Sequence, residues 1–390
     1  MQALDNKFRF DAIDQLRGLV IVLMALDHVR DFFTPFAFMP EDLSQTSPEL
    51  FFTRWITHFC APVFIFLTGM SAFLFENKGN SKATVRNFLL TRGVWLVFIE
   101  FFIVGTSWKF SLEPWFIGQV IWAIGMCMLA LAGLIYLPRK LIFIIGLLMI
   151  VGHNLLDGFQ SASLGSYSWV WGVLHEPMWV PFGSQGAGVY LAYPLIPWIG
   201  VMAVGYASAN WFLNEPKEFA KKSIQTGLAL TVMFVALRYT NWYGDPDAWA
   251  IQARGVIYTL LSFLNLQKYP PSLLYLLMTL GPALVLLGVL QNTHSKLAAP
   301  LTLFGRVPFF FYVLHVPLIH LLAVIYFAIT LGTMAMTWQF QGPDATPAGY
   351  EPSLLRAYGV WALVVFMMYF ACRWFAGVKQ RHSHWMLKYL

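Results

Sequence analysis

Ten stretches of the chain, near 16–36, 57–75, 90–108, 115–136, 139–157, 188–213, 223–240, 271–291, 302–330 and 355–376, are long runs of mainly apolar side chains. A helix rises about 1.5 Å per residue, so some twenty such residues cross the roughly 30 Å of bilayer hydrocarbon. Only helices and closed barrels satisfy every backbone N–H and C=O at that depth. The runs are continuous and rich in Leu, Ile and Phe, without the alternation of barrel strands. The spacing therefore predicts an all-α polytopic membrane protein with about 10 transmembrane helices, built as a single transmembrane domain over 1–390.

Composition agrees with a lipid solvent. Charged residues are 11% of the 390 and hydrophobic ones 58%, against about 25% and 45–50% in soluble domains. That is too little polar surface to clothe a water-facing body, which excludes a soluble globule and intrinsic disorder. The 25 Lys and Arg are scattered between apolar runs, so no nucleic-acid partner is expected. Cys60, Cys127 and Cys372 lie inside apolar runs without CxxC spacing, and indicate neither disulfides nor a zinc site.

The net charge of +6 reports topology, because Lys and Arg are retained in cytoplasmic loops. Basic residues gather in the N-terminal segment (Lys7, Arg9, Arg17) and the tail (Lys379, Arg381, Lys388). They also mark the second loop (Lys78, Lys82, Arg86), the fourth (Arg139, Lys140), the sixth (Lys217, Lys221, Lys222) and the eighth (Lys296). The first loop holds Glu41, Asp42 and Glu49, the third Lys109, and the ninth Asp344 and Glu351. Both termini are thus expected in the cytoplasm. Asp27, His28, Arg30 and Asp31 interrupt the first apolar run, so it reads as a retained span and not a removable leader. In the seventh loop Gly255 to Leu266 is re-entrant, interfacial or an eleventh crossing. The fifth loop, about 158–187, carries Trp169, Trp171 and Trp179 and suits an interfacial cover of the outer face. We find no internal repeat, as an inverted-repeat transporter would show.

Ionisable groups at membrane depth are costly and face a bundle interior or a wet cavity, so each is a functional candidate. The first span is densest in them. Asp14 and Arg17 are i,i+3 neighbours on a helix, as are Asp27 with Arg30 and His28 with Asp31. Arg17 to His28 is eleven steps, about three turns and roughly 16 Å, so the two side chains share one stripe at different depths. Arg17 at the cytoplasmic end can hold an anion, and His28 farther out can act as a titratable base. Burying four ionisable groups for packing alone is costly where apolar residues would serve. His58 near the outer start of span two, and Arg306, His315 and His320 in a span with Pro308 and Pro317, are candidate partners. Glu100, His153 and Asp157 read as single structural groups. GxSxG, Walker A, HExxH and dinucleotide motifs are absent, and His28 and His58 lack metal-ligand spacing, so no metal is expected.

Asp14-Gln-Leu-Arg17-Gly-Leu, ten intervening residues and His28 together resemble the arginine, ten residues, histidine signature of integral-membrane acyltransferases that modify extracytoplasmic glycans. The longer text Ile13 to Met24, with Ala61-Pro62-Val-Phe-Ile-Phe-Leu-Thr-Gly69 and Gly305-Arg306-Val-Pro308 through His320, resembles the bacterial relatives of heparan-α-glucosaminide N-acetyltransferase. The resemblance implies a transmembrane acyltransferase-like domain in a bacterial inner membrane. It would move an acyl group, an acetyl above all, from cytoplasmic acyl-CoA to an amine or hydroxyl of an outer sugar or glycan. Where the lysosomal member's first span has Asn this chain has His28, and His58 stands for the acid before that member's span-two proline. The first-loop histidine of that lysosomal member has no counterpart between Thr34 and Phe51. The resemblance to the broader arginine, ten residues, histidine signature implies His28 as the base, oriented by Asp27 or Asp31, with Arg17 and Asp14 expected on the CoA and Arg30, His58, Arg306 and His315 as substrate contacts. Covalent acyl-His against direct transfer, acyl length and a homodimer stay open. A proton-coupled transporter or exporter using Asp27, His28 and Asp31 as a relay is the alternative.

Overall fold

The computed structural model describes residues 10–183, 186–215, 217–292, 298–333, 338–341, 343–382, 384 and 387. Lys7, Arg9, Lys296 and Lys388, counted above as topology marks, lie outside the described residues. Helix α1 (Asp11–Phe33) has Asp11 and Asp14 in its first turn and Arg30 in its last, each opposite in sign to the helix end it faces. After it come α2 (Pro48–Trp55) and α3 (Cys60–Asn77), joined by a 3₁₀ turn at Ile56–Phe59. α4 (Lys82–Ile99) continues through a π-helical turn, Glu100–Val104, into α5 (Gly105–Lys109). α6 (Val120–Leu134), α7 (Arg139–Gly152), α8 (Ser168–Leu174), α9 (Leu195–Leu213) and α10 (Phe219–Thr240) follow. Then come α11 (Val256–Leu264), α12 (Leu273–Gln291), α13 (Ala298–Arg306), α14 (Pro308–Leu331) and α15 (Leu354–Arg381). Ser47, Ser81, Ser272 and Ser353 accept from orphan N–H groups at the starts of α2, α4, α12 and α15.

Six helical stretches among the described residues are long and apolar enough to cross a membrane: Pro48–Asn77, Lys82–Lys109, Arg139–Leu156, Leu273–Gln291, Pro308–Leu331 and Leu354–Arg381. The other four expected segments hold α1, α6, α9 and α10. Helix α1 is charged because it is central. It packs on α3, α12, α13, α14 and α15 and buries residues on every side, His28 and Arg30 included. The peripheral helices are the reverse, with apolar stripes facing outward: Leu90, Val94 and Phe98 on α4, Ile144 and Leu148 on α7, Phe366, Phe370 and Trp374 on α15. Stripes at helical spacing with nothing to cover them suit lipid.

Glycines let the helix backbones touch. A Cβ on Gly305 of α13 would lie 1.8 Å from the Asp14 carbonyl oxygen, and one on Gly18 of α1 would lie 1.9 Å from that of Leu301. Neither obstacle is a flexible side-chain end. The pairs Gly93 with Gly125 and Gly146 with Gly200 do the same for α4 on α6 and α7 on α9. Small residues at contacts are how membrane helices approach when no hydrophobic force drives them together.

The structure corrects the sequence reading in three places and narrows an open alternative in a fourth. The fold is mostly helical but not purely so: β1 (Trp115–Gly118), β2 (Met178–Pro181) and β3 (Gly188–Leu191) form a sheet in the order β1-β3-β2. β1 runs parallel to β3 with Trp115 opposite Gly188, and β2 antiparallel with Met178 opposite Leu191. The starts of segments 115–136 and 188–213 are therefore strands, which hydropathy cannot separate from the apolar helices that follow. Segment 302–330 breaks at Val307, where the following proline disfavours α geometry. Pro308 begins α14 and so kinks nothing; Pro317 is the interior proline there. Finally, α11 is nine residues long, about 14 Å and too short to cross as a helix.

Candidate active site

Arg17, on the first turns of α1, lines a cavity of about 1350 Å³ together with Asp14, Lys78, Arg92, Arg306 and Lys379. Lys379 and Gln380 near the end of α15 and Phe10 before α1 line the same space, so the start of α1 and the end of α15 lie on one face. Arg17 is held rigidly: Nη1 donates to Asp14 Oδ1 and to the Gly305 carbonyl, both at 3.1 Å, and Nη2 donates to Ser71 Oγ at 3.0 Å. The glycine contact of α1 with α13 is what brings that carbonyl within reach. Arg306 lies 3.6 Å from Asp11 and 3.9 Å from Asp14. Five cations around one mouth make a strong anion-attracting field. Inward, the cavity runs to Ile21, Met24 and Tyr312.

His28 and His315 lie one helical turn beyond that inner end, since Met24 precedes His28 by four residues and Tyr312 precedes His315 by three. Their rings are stacked with centroids 4.9 Å apart, and His28 Nδ1 is 2.7 Å from His315 Nε2. His315 Nδ1 faces two backbone carbonyls, Tyr312 at 2.6 Å and Phe311 at 3.0 Å. Carbonyls only accept, so Nδ1 of His315 carries the proton and, in the neutral ring, Nε2 is the acceptor. His28 Nδ1 must then donate, which leaves the lone pair on His28 Nε2. Trp108 packs edge-on against His28 at 4.9 Å. His320 is used differently: it is bonded to the Ser107 carbonyl at 2.8 Å and stacked on Phe110 at 4.0 Å.

Past His28, at the other end of α1, lies an ion network. Arg54 Nη1 donates to both oxygens of Asp27, at 2.9 and 2.7 Å, and its Nε donates to Glu41 at 2.8 Å. Arg30 Nη2 spans Asp27 at 3.0 Å and Asp31 at 2.6 Å. The hydrogen bonds of Asp27 and Asp31 therefore go to guanidiniums, while that of His28 goes to His315. His58 Nε2 stands 3.6 Å from Glu41, and neither of its buried ring nitrogens has a hydrogen-bond partner among the described residues. Arg30 Nη1 is likewise buried and unpartnered. Burial opposes ionisation of Glu41, but His58 and Arg54 outweigh it and hold the carboxyl well below the usual range.

The predicted residues thus divide. Asp14, Arg17 and Arg306 stand at the cavity mouth, His28 and His315 form the middle, and Asp27, Arg30, Asp31 and His58 form the far layer. Sequence reasoning missed Glu41 and Arg54 as members of this site. Arg54 was visible as a charge four residues from His58, but its pairing with Asp27 across 27 residues leaves no local mark. Replacing Arg54 by Met is expected to destabilise the fold by about 2 kcal/mol. This is less than the roughly 3–5 kcal/mol of a fully orphaned buried ion, because Arg30 still faces Asp27. Thermal unfolding of the detergent-solubilised variant measures it, and an unchanged midpoint would show that the pair contributes nothing.

Comparison with known families gives one match of bearing. The sequence model described as heparan-alpha-glucosaminide N-acetyltransferase, catalytic, fits residues 9–240, more than half of the chain. That span covers Arg17, His28, Glu41, Arg54 and His58. A search of curated proteins returns no match.

Proposed function

The chain belongs to the heparan-alpha-glucosaminide N-acetyltransferase family, and from that premise we propose that it carries acetyl groups across a membrane to a glycan. In this reading the whole chain is one unit of ten crossings, with both termini and the cation-lined mouth in the cytoplasm. Acetyl-CoA enters there, its phosphates held by Arg17 with Lys78, Arg92, Arg306 and Lys379. The acceptor sugar arrives from the opposite side, where His58, Arg30 and Glu41 offer contacts. Buried polar atoms without partners are uncommon in folded proteins, and Nδ1 of His58 and Nη1 of Arg30, unpartnered among the described residues, suit hydroxyls of a sugar.

The observation that carries this reading is the His28–His315 hydrogen bond, one turn beyond the inner end of the cavity. The thioester of a CoA lying in the cavity would reach that turn. His28 Nε2 then takes the proton from the acceptor amine or hydroxyl as the acceptor's N or O attacks the thioester carbon. The tetrahedral intermediate collapses, the C–S bond breaks, and the departing CoA sulfur takes a proton. His315 positions the base through its partner ring, as the third member of a nucleophile–base–orienter set does.

Purified protein in sealed vesicles, given labelled acetyl-CoA on one side and glucosamine-terminated oligosaccharides on the other, tests the reading. Label should appear on the sugar only with the donor on the face that bears the termini. Absence of transfer, with solute uptake driven by a pH gradient instead, would overturn it. Arg17→Gln is expected to raise the KM for acetyl-CoA about tenfold to a hundredfold with kcat little changed. The lost contact holds donor and transition state alike, and a charge-assisted hydrogen bond is worth about 1.5–3 kcal/mol. A fall in kcat at unchanged KM would remove Arg17 from the donor site.

A further inference from the structure

A second cluster of ligating side chains lies away from this site. Arg139, at the start of α7, stands 3.7 Å from Glu76 on the end of α3 next to the cavity-lining Lys78. The other end of α7 is therefore at the opposite face. There His153 begins a 3₁₀ turn, Asp157 follows four residues on, and the end of α8 brings in His175. The sequence shows His153 and Asp157 as isolated groups, with His175 18 residues beyond Asp157.

In the fold, one ligand atom from each of the three lies within 4.8 Å of the others. His175 Nε2 is 3.1 Å from Asp157 Oδ1, close to the roughly 3.3 Å between neighbouring ligands on a tetrahedral zinc with bonds near 2.0–2.1 Å. His153 and His175 meet edge to face with centroids 5.7 Å apart. A hydrogen bond between His175 and Asp157 alone explains two of the residues and not the third. His153 is 1% exposed, and among the described residues neither of its ring nitrogens makes a well-formed hydrogen bond, the Pro271 backbone being the one polar main-chain group that interacts with the ring. With one nitrogen turned to the Pro271 backbone, the other is still idle, which is unfavourable in a buried imidazole, and a metal ion would take it.

The surroundings are those of a ligand set held in place. Asn154 Nδ2 donates to the other oxygen of Asp157 at 2.9 Å, and Asn154 Oδ1 accepts from Leu273 N–H at 3.0 Å, at the start of α12. Such outer partners orient metal-binding carboxylates. Asp157 is also the exposed member, with 24% of its side chain open, which leaves an entry path. Two imidazoles and a carboxylate with a fourth position free suit a divalent first-row metal.

We propose that His153, Asp157 and His175 bind one divalent transition-metal ion, Zn²⁺ by their ligand chemistry, and that the ion ties the end of α8 to the ends of α7 and α12. The proposal is independent of the acetyl-transfer reading, and its test involves no turnover. The purified full-length protein is stripped with chelator, dialysed against Zn²⁺ and freed of excess ion. Its zinc content is then measured beside that of His175→Ala and Asp157→Asn. About one Zn²⁺ per chain is expected in the parent and less than a tenth of that in each variant, and Zn²⁺ should raise the melting temperature of the parent alone. Should His175→Ala fail to fold, Asp157→Asn decides, since it keeps the shape of the side chain. A parent that retains no zinc, or variants that retain as much as the parent, would overturn the proposal.

Discussion

Replacing His28 by Ala is expected to lower kcat for acetyl transfer about a thousandfold, with the KM for acetyl-CoA within a factor of three. A positioned general base contributes roughly 10²–10⁴ in rate, and 10³ corresponds to about 4 kcal/mol of barrier. Donor binding is spared because His28 lies a turn beyond the cavity lined by Arg17. The pH profile separates base from scaffold. A base works only when unprotonated, so activity of the parent rises with pH through the titration of the histidine pair and falls as pH drops below it. The residual activity of the variant should lose that limb. His315→Asn should cost about a hundredfold in kcat, since the His28 ring loses the acceptor nitrogen that lies 2.7 Å from its Nδ1. Full activity in His28→Ala would end the assignment, and full activity in His315→Asn would remove the positioning role alone.

Gly305→Ala is expected to be the most damaging small substitution in the chain, at about 3 kcal/mol, the upper end of what overpacking usually costs. The added Cβ would stand 1.8 Å from a backbone oxygen of α1, so the helices themselves must separate. Separation also withdraws the Gly305 carbonyl from Arg17 Nη1, now 3.1 Å away, and should weaken acetyl-CoA binding in whatever protein still folds. Gly359→Ala on α15 is the control. Nothing lies within 4 Å of its Cβ, and alanine is the better helix former by up to about 1 kcal/mol. Melting curves of the two variants in detergent measure the contrast, and equal midpoints would refute the argument from close approach.

Much of the architecture was legible because bilayer physics acts through local composition. Apolar length marked the helices, including the stretches that the structure shows long enough to span. The failures have a common cause. Trp115 to Gly118 and Gly188 to Leu191 are as apolar as the helices they precede, and only their pairing with each other makes them strands. That His153 and Asp157 lie beside His175 was likewise not legible, because His175 stands at the end of another helix. Asp27 and Asp31 were expected to orient His28 because they adjoin it in sequence, yet the guanidiniums of Arg54 and Arg30 hold them.

Taken by itself, the sequence determined that this is a helical membrane protein, a member of its acyltransferase family by text, with Arg17 and His28 on one stripe of one helix. Each of those follows from interactions along the chain: the apolar run that lipid requires and the 3.6-residue turn that eleven steps complete about three times. The tertiary structure alone decided which nitrogen of His28 is free, because that depends on His315, 287 residues away. It likewise decided that Arg54 neutralises Asp27 and that two glycines bring α13 against α1. Contacts of this kind are set by how closely two backbones pack, and no local pattern of side chains encodes that distance.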